Sequence, residues 1–435
     1  MKATVTAAIL ALAVAASLAA TAAAAKPRPL SAAQRACLVK AVGKKNADLY
    51  AKGARVSART KAAVTACTKA ATSANAAPAG APCATLSSTD AYLSEGPWNV
   101  WDAAVNLRST GKVRATVLFV DFPDSVGTAS PQSIVDGWMA QGVSWLSGTS
   151  YGRLSLALDA HSAWLRMPKA ASAYGWDDYS ISYDDHLYYL RDAFTVADPK
   201  VDFAHTDLVY VVAPPTRMIP FSPTFRGEPG AFILDGKKVD KAVTFGQDAY
   251  TYGKTVLPHE TGHLFGLPDL YSLIGGDQHR FVGVWDFMGN IFDPTDLSAW
   301  HRLKLGYLDA SQIACADSGK TTEATLTALG ATGGVKAVVA KTSPTTVVVV
   351  ENRQKVGNDA GICEVGALVY SVDATPETGA GPMKVQGGAI TGQGCGYGAR
   401  SDAPLQPGES VTVAGVAVTV ISRKGTDVVV RVTAP

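Results

Sequence analysis

The stretch that decides the fold runs His259-Glu260-Thr261-Gly262-His263-Leu264-Phe265-Gly266-Leu267-Pro268-Asp269. If its first part is helical, His259 and His263 lie at positions i and i+4, one turn apart on one face, so both imidazoles can reach one metal ion. Glu260 then points to the open side of that ion, where it can take a proton from metal-bound water and return it to a leaving amine. The spacing therefore predicts a catalytic zinc centre.

The residues after His263 complete the predicted centre. Gly266 is expected to end the helix, because glycine adopts a left-handed turn at little cost, and Pro268 stiffens the chain that turns back. Asp269 then offers a carboxylate as third ligand, and a catalytic zinc needs three protein ligands with one position left for water. An H-E-x-x-H pattern also occurs by chance in exposed helices with two ordinary histidines. That alternative does not explain a helix that stops at a glycine and turns at a proline just before an acid.

Charge is distributed unevenly along the 435 residues. Hydrophobic content of 47% with 17% charged residues is normal for a globular chain, and the length favours two or three domains. Between Lys26 and Ser73, eleven bases face a single acid, Asp48, so this arm carries about +10 and the part after it about −9. The arm has two interpretations: a pro-segment that docks over the acidic body of the protein until it is removed, or an anchor to a cell wall or surface. Nucleic-acid binding rests on charge alone and is not expected as the main role.

The first 25 residues predict export. They combine one lysine, an apolar run and small residues up to Ala25, which is typical of a cleaved secretory signal peptide. No later stretch is long and apolar enough to span a bilayer, so no stable membrane insertion is expected. Cysteines in an exported chain favour disulfides. The six cysteines give the candidate pairs Cys37–Cys67, Cys83–Cys315 and Cys363–Cys395. For Cys83 the other interpretation is a thiolate that caps the zinc.

The order of elements favours an α+β protein with three parts after the signal peptide. Residues 26–82 are expected to form a basic helical hairpin, broken at Gly53 and followed by a linker rich in Ala, Pro and Gly. Residues 83–310 alternate strands and helices, which predicts a mixed sheet backed by helices, with the metal-binding helix beneath the cleft. Residues 311–435 carry short strands rich in Val and Thr, which predict an all-β sandwich. Within 83–310 we expect strands at 113–122, 150–165 and 207–213, a Pro-rich loop, and helices at 131–146, 186–194, from about 250, and at 296–308.

Seven segments in order then carry a family resemblance over about residues 113–422. They are 120–124 (VDFPD), 150–154 (SYGRL), 259–269, 285–288 (WDFM), 298–308 (SAWHRLKLGYL), 350–355 (VENRQK) and 366–370 (GALVY). Together they resemble the immune inhibitor A family of secreted bacterial metallopeptidases, which is close to the metzincins. The basic arm lies outside this resemblance.

The resemblance implies a zinc endopeptidase of proteins or peptides, with His259 and His263 as ligands and Glu260 as catalytic acid and base. Met288 matches the metzincin Met-turn, an apolar floor beneath the histidines. Metzincins usually have a histidine where this chain has Asp269, a departure shared with the snapalysins. Calcium sites are common in such proteases, but no stretch here is an acidic calcium loop, so calcium ligands stay unassigned. The residue that would stabilise an oxyanion also stays unassigned.

A function of another class is the alternative. The chain would then be an inactive, protease-like secreted binding protein, held at the cell surface by its basic arm. An intact Glu260 argues against it, because a protein that only binds has no need of this carboxylate.

Overall fold

The structure, a computed structural model, describes residues 82–87, 93–95, 106–178, 180–227, 230–293, 295–389 and 398–435, with seven single residues between 38 and 60. Residues 1–74 and 75–435 form two compact units. In the first unit the described residues from Leu38 to Leu49 are helical, and Ser57 Oγ accepts a hydrogen bond from Thr60 N (3.2 Å), as an N-cap does. The predicted signal peptide, the Cys37–Cys67 pair and the linker up to residue 81 lie outside the described residues.

The first sheet and its helices occupy the chain up to residue 304. The strands are β1 Gly111–Asp121, β2 Leu154–Arg166, β3 Leu208–Val212, β4 Thr224–Arg226, β5 Phe232–Leu234, β6 Lys237–Val239 and β7 Lys241–Phe245. The helices are α1 Pro131–Ile134, a π-helical turn Val135–Met139, α2 Ala140–Thr149, α3 Tyr183–Ala197, α4 Ala249–Leu264 and α5 Ala299–Lys304. Short 3₁₀ turns lie at Pro82–Ala84, Ala171–Tyr174, Ala310–Gln312 and Gly357–Asp359.

Five of these strands form a mixed sheet in the order β2-β1-β3-β7-β4. All neighbours are parallel except the edge strand β4, which runs antiparallel to β7. Successive side chains of a strand point to opposite faces. Val117 and Phe119 therefore pack into the core that also contains α4, whereas Leu118 and Val120 pack with α3 on the other face. The sheet thus holds α4 on one side, with the antiparallel edge strand beside it.

In the described residues after 310, the regular elements are strands and short 3₁₀ turns. Its strands are β8 Ile313–Ala316, β9 Thr321–Leu326, β10 Ala337–Lys341, β11 Thr346–Arg353, β12 Gly366–Asp373, β13 Met383–Val385, β14 Ser410–Val413, β15 Val416–Lys424 and β16 Asp427–Thr433. They form two sheets, β13-β12-β11-β10-β8 and β14-β15-β16-β9. Val348 and Val350 of β11 pack into a core shared with the second of these sheets, whereas Val347 and Val349 pack into the core that contains α4. One hydrophobic core therefore contains residues from both sides of position 310. The domain boundary at this position stays a prediction.

The expectation of a mixed α+β fold is confirmed, and two local predictions are wrong. Four short strands, β4 to β7, replace the loop that was expected between 213 and the metal helix. The helix expected at 296–308 is limited to Ala299–Lys304. It starts late because Ser298 Oγ caps it at His301 N (3.3 Å), and it ends before Gly306, whose φ of +75° is left-handed.

Of the predicted disulfides, Cys83–Cys315 is confirmed, with the two Cα atoms 5.7 Å apart. This bond rules out the alternative in which a Cys83 thiolate caps the zinc. Cys363 is also disulfide-bonded, and its predicted partner Cys395 lies outside the described residues. Within the described part of the chain, no helix is both long and apolar enough to cross a membrane.

Candidate metal centre

The C-terminal end of α4 determines where the chain turns back. Gly266 N donates to His263 O (3.0 Å) and Leu267 N donates to Gly262 O (3.0 Å), which is the Schellman pattern of hydrogen bonds. Gly266 has a φ of +93°, a conformation that costs little only for glycine. As a result the chain reverses within one turn of the second histidine, and Asp269 returns to the face of α4 that carries both imidazoles.

Three potential ligand atoms converge at that face. His259 Nε2 and His263 Nε2 are 3.2 Å apart, and Asp269 Oδ1 lies 3.3 Å from the first and 3.1 Å from the second. Ligand atoms held about 2.0–2.1 Å from a tetrahedral zinc ion stand about 3.3–3.4 Å apart. The triangle that these three residues form therefore has the dimensions of one face of a zinc coordination tetrahedron.

The hydrogen bonds behind the imidazoles fix their tautomers. His259 Nδ1 lies 2.9 Å from Phe287 O, and His263 Nδ1 lies 2.9 Å from Leu267 O. Because a carbonyl oxygen only accepts, each Nδ1 carries a proton and donates it, so the neutral form of either ring presents its Nε2 lone pair to the centre. Both histidines are buried.

The carboxylate of Asp269 supports the same interpretation. Among the described residues its Oδ1 atom finds no hydrogen-bond partner of acceptable geometry, although it is buried. Burial alone would raise the pKa of Asp269, but positive charge at His263 and His259 holds it well below its usual range, so the carboxylate is ionised and suited to a cation. Three buried lone pairs within 3.3 Å of one another repel unless positive charge lies between them, and a single proton can bridge only one pair. This donor set fits a zinc ion, since two imidazoles and a carboxylate form one of the ligand sets of catalytic zinc sites.

Glu260 lies on the open side of this triangle. Its Oε1 is 4.0 Å from His259 Nε2, its side chain is 13% exposed, and the hydroxyl of Thr224 in β4 donates to its Oε2 (2.7 Å). Burial raises the pKa of Glu260 to about 8, although His259 and the Thr224 hydroxyl act in the opposite direction. The side chain is therefore held in place by the edge strand of the first sheet, while part of it remains open to solvent.

Two cavities meet at this carboxylate. One, of about 500 Å³, has an aromatic and aliphatic wall that includes Tyr252, Ile291 and Phe292. The other, of about 430 Å³, is lined by more polar groups and includes His263 and Thr378. The residues common to both cavities are Phe221, Ser222, Glu260 and Tyr271. The candidate centre thus lies at the middle of a cleft with space on either side, as a chain-like substrate would need.

Tyr271 is a site residue that the sequence analysis missed. Its ring stacks on that of His259 (centroids 6.2 Å apart, planes inclined by 25°). Burial, followed by the negative charges of Asp269 and Glu260, raises the pKa of Tyr271 well above its usual value. A hydrogen bond to Asp269 adds to this shift, so the phenol is neutral at ordinary pH and acts as a donor in the cleft.

Met288 lies under α4, where a Met-turn was predicted. A Cβ placed on Gly262 would come within 2.7 Å of Met288 Sδ, so the absence of a side chain there lets the thioether pack against the helix between the two histidines. The carbonyl of Phe287, next to it, is the one that orients His259. Asp286 begins the turn with a φ of +111°, and its carboxylate accepts hydrogen bonds from Met288 N (2.9 Å) and Ser298 N (3.0 Å).

The structure thus brings together every residue predicted for the centre: His259, Glu260, His263, Asp269 and Met288. Besides Tyr271, it adds Thr224 and Thr378, which contact Glu260 and Asp269 from distant parts of the chain. Among the described residues, one group of His, Cys, Asp or Glu side chains could hold a metal ion, and it consists of His259, Glu260 and His263. No family model matches the sequence, and no curated protein matches it.

Proposed function

We propose that this protein is a secreted zinc-dependent endopeptidase that hydrolyses peptide bonds in protein or peptide substrates. The observation that carries the proposal is the triangle of His259 Nε2, His263 Nε2 and Asp269 Oδ1, with edges of 3.1–3.3 Å and Glu260 on its open side. When bound there, zinc would supply Lewis acidity and lower the pKa of a water molecule.

The side chains of the cleft would then transfer protons and orient the reacting groups. Glu260 would accept a proton from the attacking water and deliver it to the leaving amine, with Thr224 fixing the rotamer of its carboxylate. Tyr271, neutral and facing both cavities, would donate a hydrogen bond to the carbonyl oxygen as negative charge develops on it. This assigns the oxyanion role that the sequence left open.

We also propose membership of the immune inhibitor A-like, metzincin-like group. Support comes from a mixed sheet with one antiparallel edge strand next to the metal helix, and from a buried methionine under the histidines. The two sheets after residue 310, which share a core, favour the predicted sandwich. The Cys83–Cys315 disulfide fits an oxidising, extracellular compartment. Roles of the 26–82 arm as pro-segment or cell-wall contact, and of any calcium ion, stay predictions.

The test is cleavage of an unstructured protein such as casein by wild type and by Glu260→Gln, with bound zinc measured on both. Glu260→Gln keeps the shape of the side chain but cannot accept the proton, so we expect zinc to remain while turnover falls about 100- to 10,000-fold. Glu377→Gln, at an exposed glutamate, is the matched control and should retain activity. Near wild-type turnover by Glu260→Gln would refute the mechanism. A wild type with neither zinc nor cleavage would favour the alternative of an inactive binding protein.

A further inference from the structure

The third ligand of the candidate centre is held by a part of the chain that lies more than a hundred residues downstream. The loop between β12 and β13, residues 374–382, carries Thr378 and Gly379 to the segment that begins at Asp269. From these contacts we infer that Thr378 is a positioning residue of the metal centre, and that the all-β part of the protein is required for tight zinc binding. The inference rests on the proposed zinc site.

The Thr378 hydroxyl makes two hydrogen bonds to the same residue. It accepts from Asp269 N (2.8 Å) and lies 3.1 Å from Asp269 Oδ2, to which it donates. A hydroxyl has one proton to donate and lone pairs to accept, so both bonds form at once. Because Oδ2 is engaged by this donor, the other oxygen, Oδ1, is the one turned toward His259 and His263.

The backbone around Thr378 fixes the loop against the same segment. Gly379 N donates to Asp269 O (2.9 Å), and Leu273 N donates to Gly379 O (2.9 Å). Together with the two hydroxyl contacts, these bonds hold the loop at both ends of the segment 269–273, which carries the third ligand and Tyr271. The position of Asp269 is therefore determined by the β12–β13 loop as well as by the turn at the end of α4.

This arrangement predicts that loss of the Thr378 hydroxyl weakens the binding of zinc. Partners that orient a metal ligand typically change metal affinity by about 10- to 100-fold when they are removed, although they do not touch the metal. Without the hydroxyl, Asp269 would lose the donor on Oδ2 and could rotate, so that either oxygen or neither faces the imidazoles. Loss of an ordinary packing contact at a partly exposed threonine would leave zinc affinity unchanged.

The experiment uses the full chain and measures zinc affinity by competition with a chromogenic chelator, and Co²⁺ absorption as a report on the ligand set. Thr378→Val keeps the shape of the side chain but lacks the hydroxyl, and we expect zinc to bind about 10- to 100-fold more weakly. Thr378→Ser retains the hydroxyl and should restore affinity to within a few-fold. The control is Thr375→Val in the same loop, whose exposed hydroxyl donates to Asp373 (2.8 Å) and not to the candidate centre; this variant should bind zinc as wild type does.

Each outcome has a separate meaning. A Thr378→Val protein with the zinc affinity and Co²⁺ spectrum of wild type would overturn the inference, as would an equal loss in Thr375→Val. If Thr378→Val does not fold, Thr378→Ala gives the same comparison with less strain on the loop, and normal affinity in that variant would likewise overturn it. A wild type that binds no zinc would instead refute the proposed function.

Discussion

Replacing His301 by glutamine is expected to remove a pH-dependent part of the protein's stability. The imidazole is fully buried at the start of α5, with Nε2 2.7 Å from Glu95 Oε1 and Nδ1 2.7 Å from Asp286 Oδ2. Lys304 Nζ completes the cluster at 3.1 Å from Glu95 Oε2. Burial alone would lower the pKa of His301, but the two carboxylates outweigh it and raise this pKa from 6.5 to about 9. His301 is therefore charged in the folded protein at neutral pH.

The contribution of His301 to the stability of the fold follows from the shift in its pKa. A pKa that is higher in the folded state than in the unfolded state stabilises the fold below the unfolded pKa, and this stabilisation is lost as the pH rises through the folded pKa. A change from 6.5 to about 9 corresponds to about 3 kcal/mol at pH 6.5 and below, about 1.4 kcal/mol at pH 8 and less than about 0.5 kcal/mol at pH 9. His301→Gln also leaves two buried carboxylates with one cation between them, and breaking a buried ion pair costs about 3–5 kcal/mol.

The assay is denaturant unfolding of wild type and His301→Gln at pH 6.5, 8 and 9, with the metal content held equal. We expect the variant to be less stable throughout, and the difference between the two proteins to shrink by about 2–3 kcal/mol between pH 6.5 and 9. His205→Gln, at an exposed histidine, is the control and should show no such trend. A difference that stays constant across this range would refute the assignment of a charged, ion-paired His301.

Two further predictions concern the cleft and the disulfide. Tyr271→Phe should keep the stacking on His259 and the bound zinc but lower kcat by about 10- to 1,000-fold, because an oxyanion donor is lost; unchanged kcat for peptide cleavage would exclude that role. Replacing Cys83 and Cys315 together by serine opens a loop of 232 residues and should lower the free energy of unfolding by about 2–5 kcal/mol. An unfolding midpoint equal to that of wild type would contradict it.

The sequence could predict the donors of the centre because they are local. His259 and His263 fall on one helical face by spacing alone, Glu260 follows the first histidine directly, and Gly266 predicts the turn that returns Asp269 to that face. Tyr271 follows Asp269 by two residues, so the turn that returns the acid to this face also predicts a tyrosine beside the centre.

The partners of those donors could not be predicted in the same way. Thr224, the Phe287 carbonyl and Thr378 lie 36, 28 and 109 residues from the side chains they contact. No periodicity or turn signal encodes such pairings, which depend on sheet order and on the packing of separate elements. The short strands β4 to β7 were missed for a related reason, since strands of three to five residues carry too few alternations to distinguish them from a loop.

These distant partners also distinguish this site from an H-E-x-x-H pattern that occurs by chance in a helix. In a helix that has two histidines by chance, nothing requires the second ring nitrogens to meet carbonyl groups, or the following acid to be held by a hydroxyl. Here His259 is oriented by Phe287 O, His263 by Leu267 O and Asp269 by Thr378 Oγ1, so each of the three donors has its own partner behind it. Each partner directs one potential ligand atom toward a common, buried point. Fixing three such atoms so close together would destabilise the metal-free fold, and we propose that a bound cation offsets this cost.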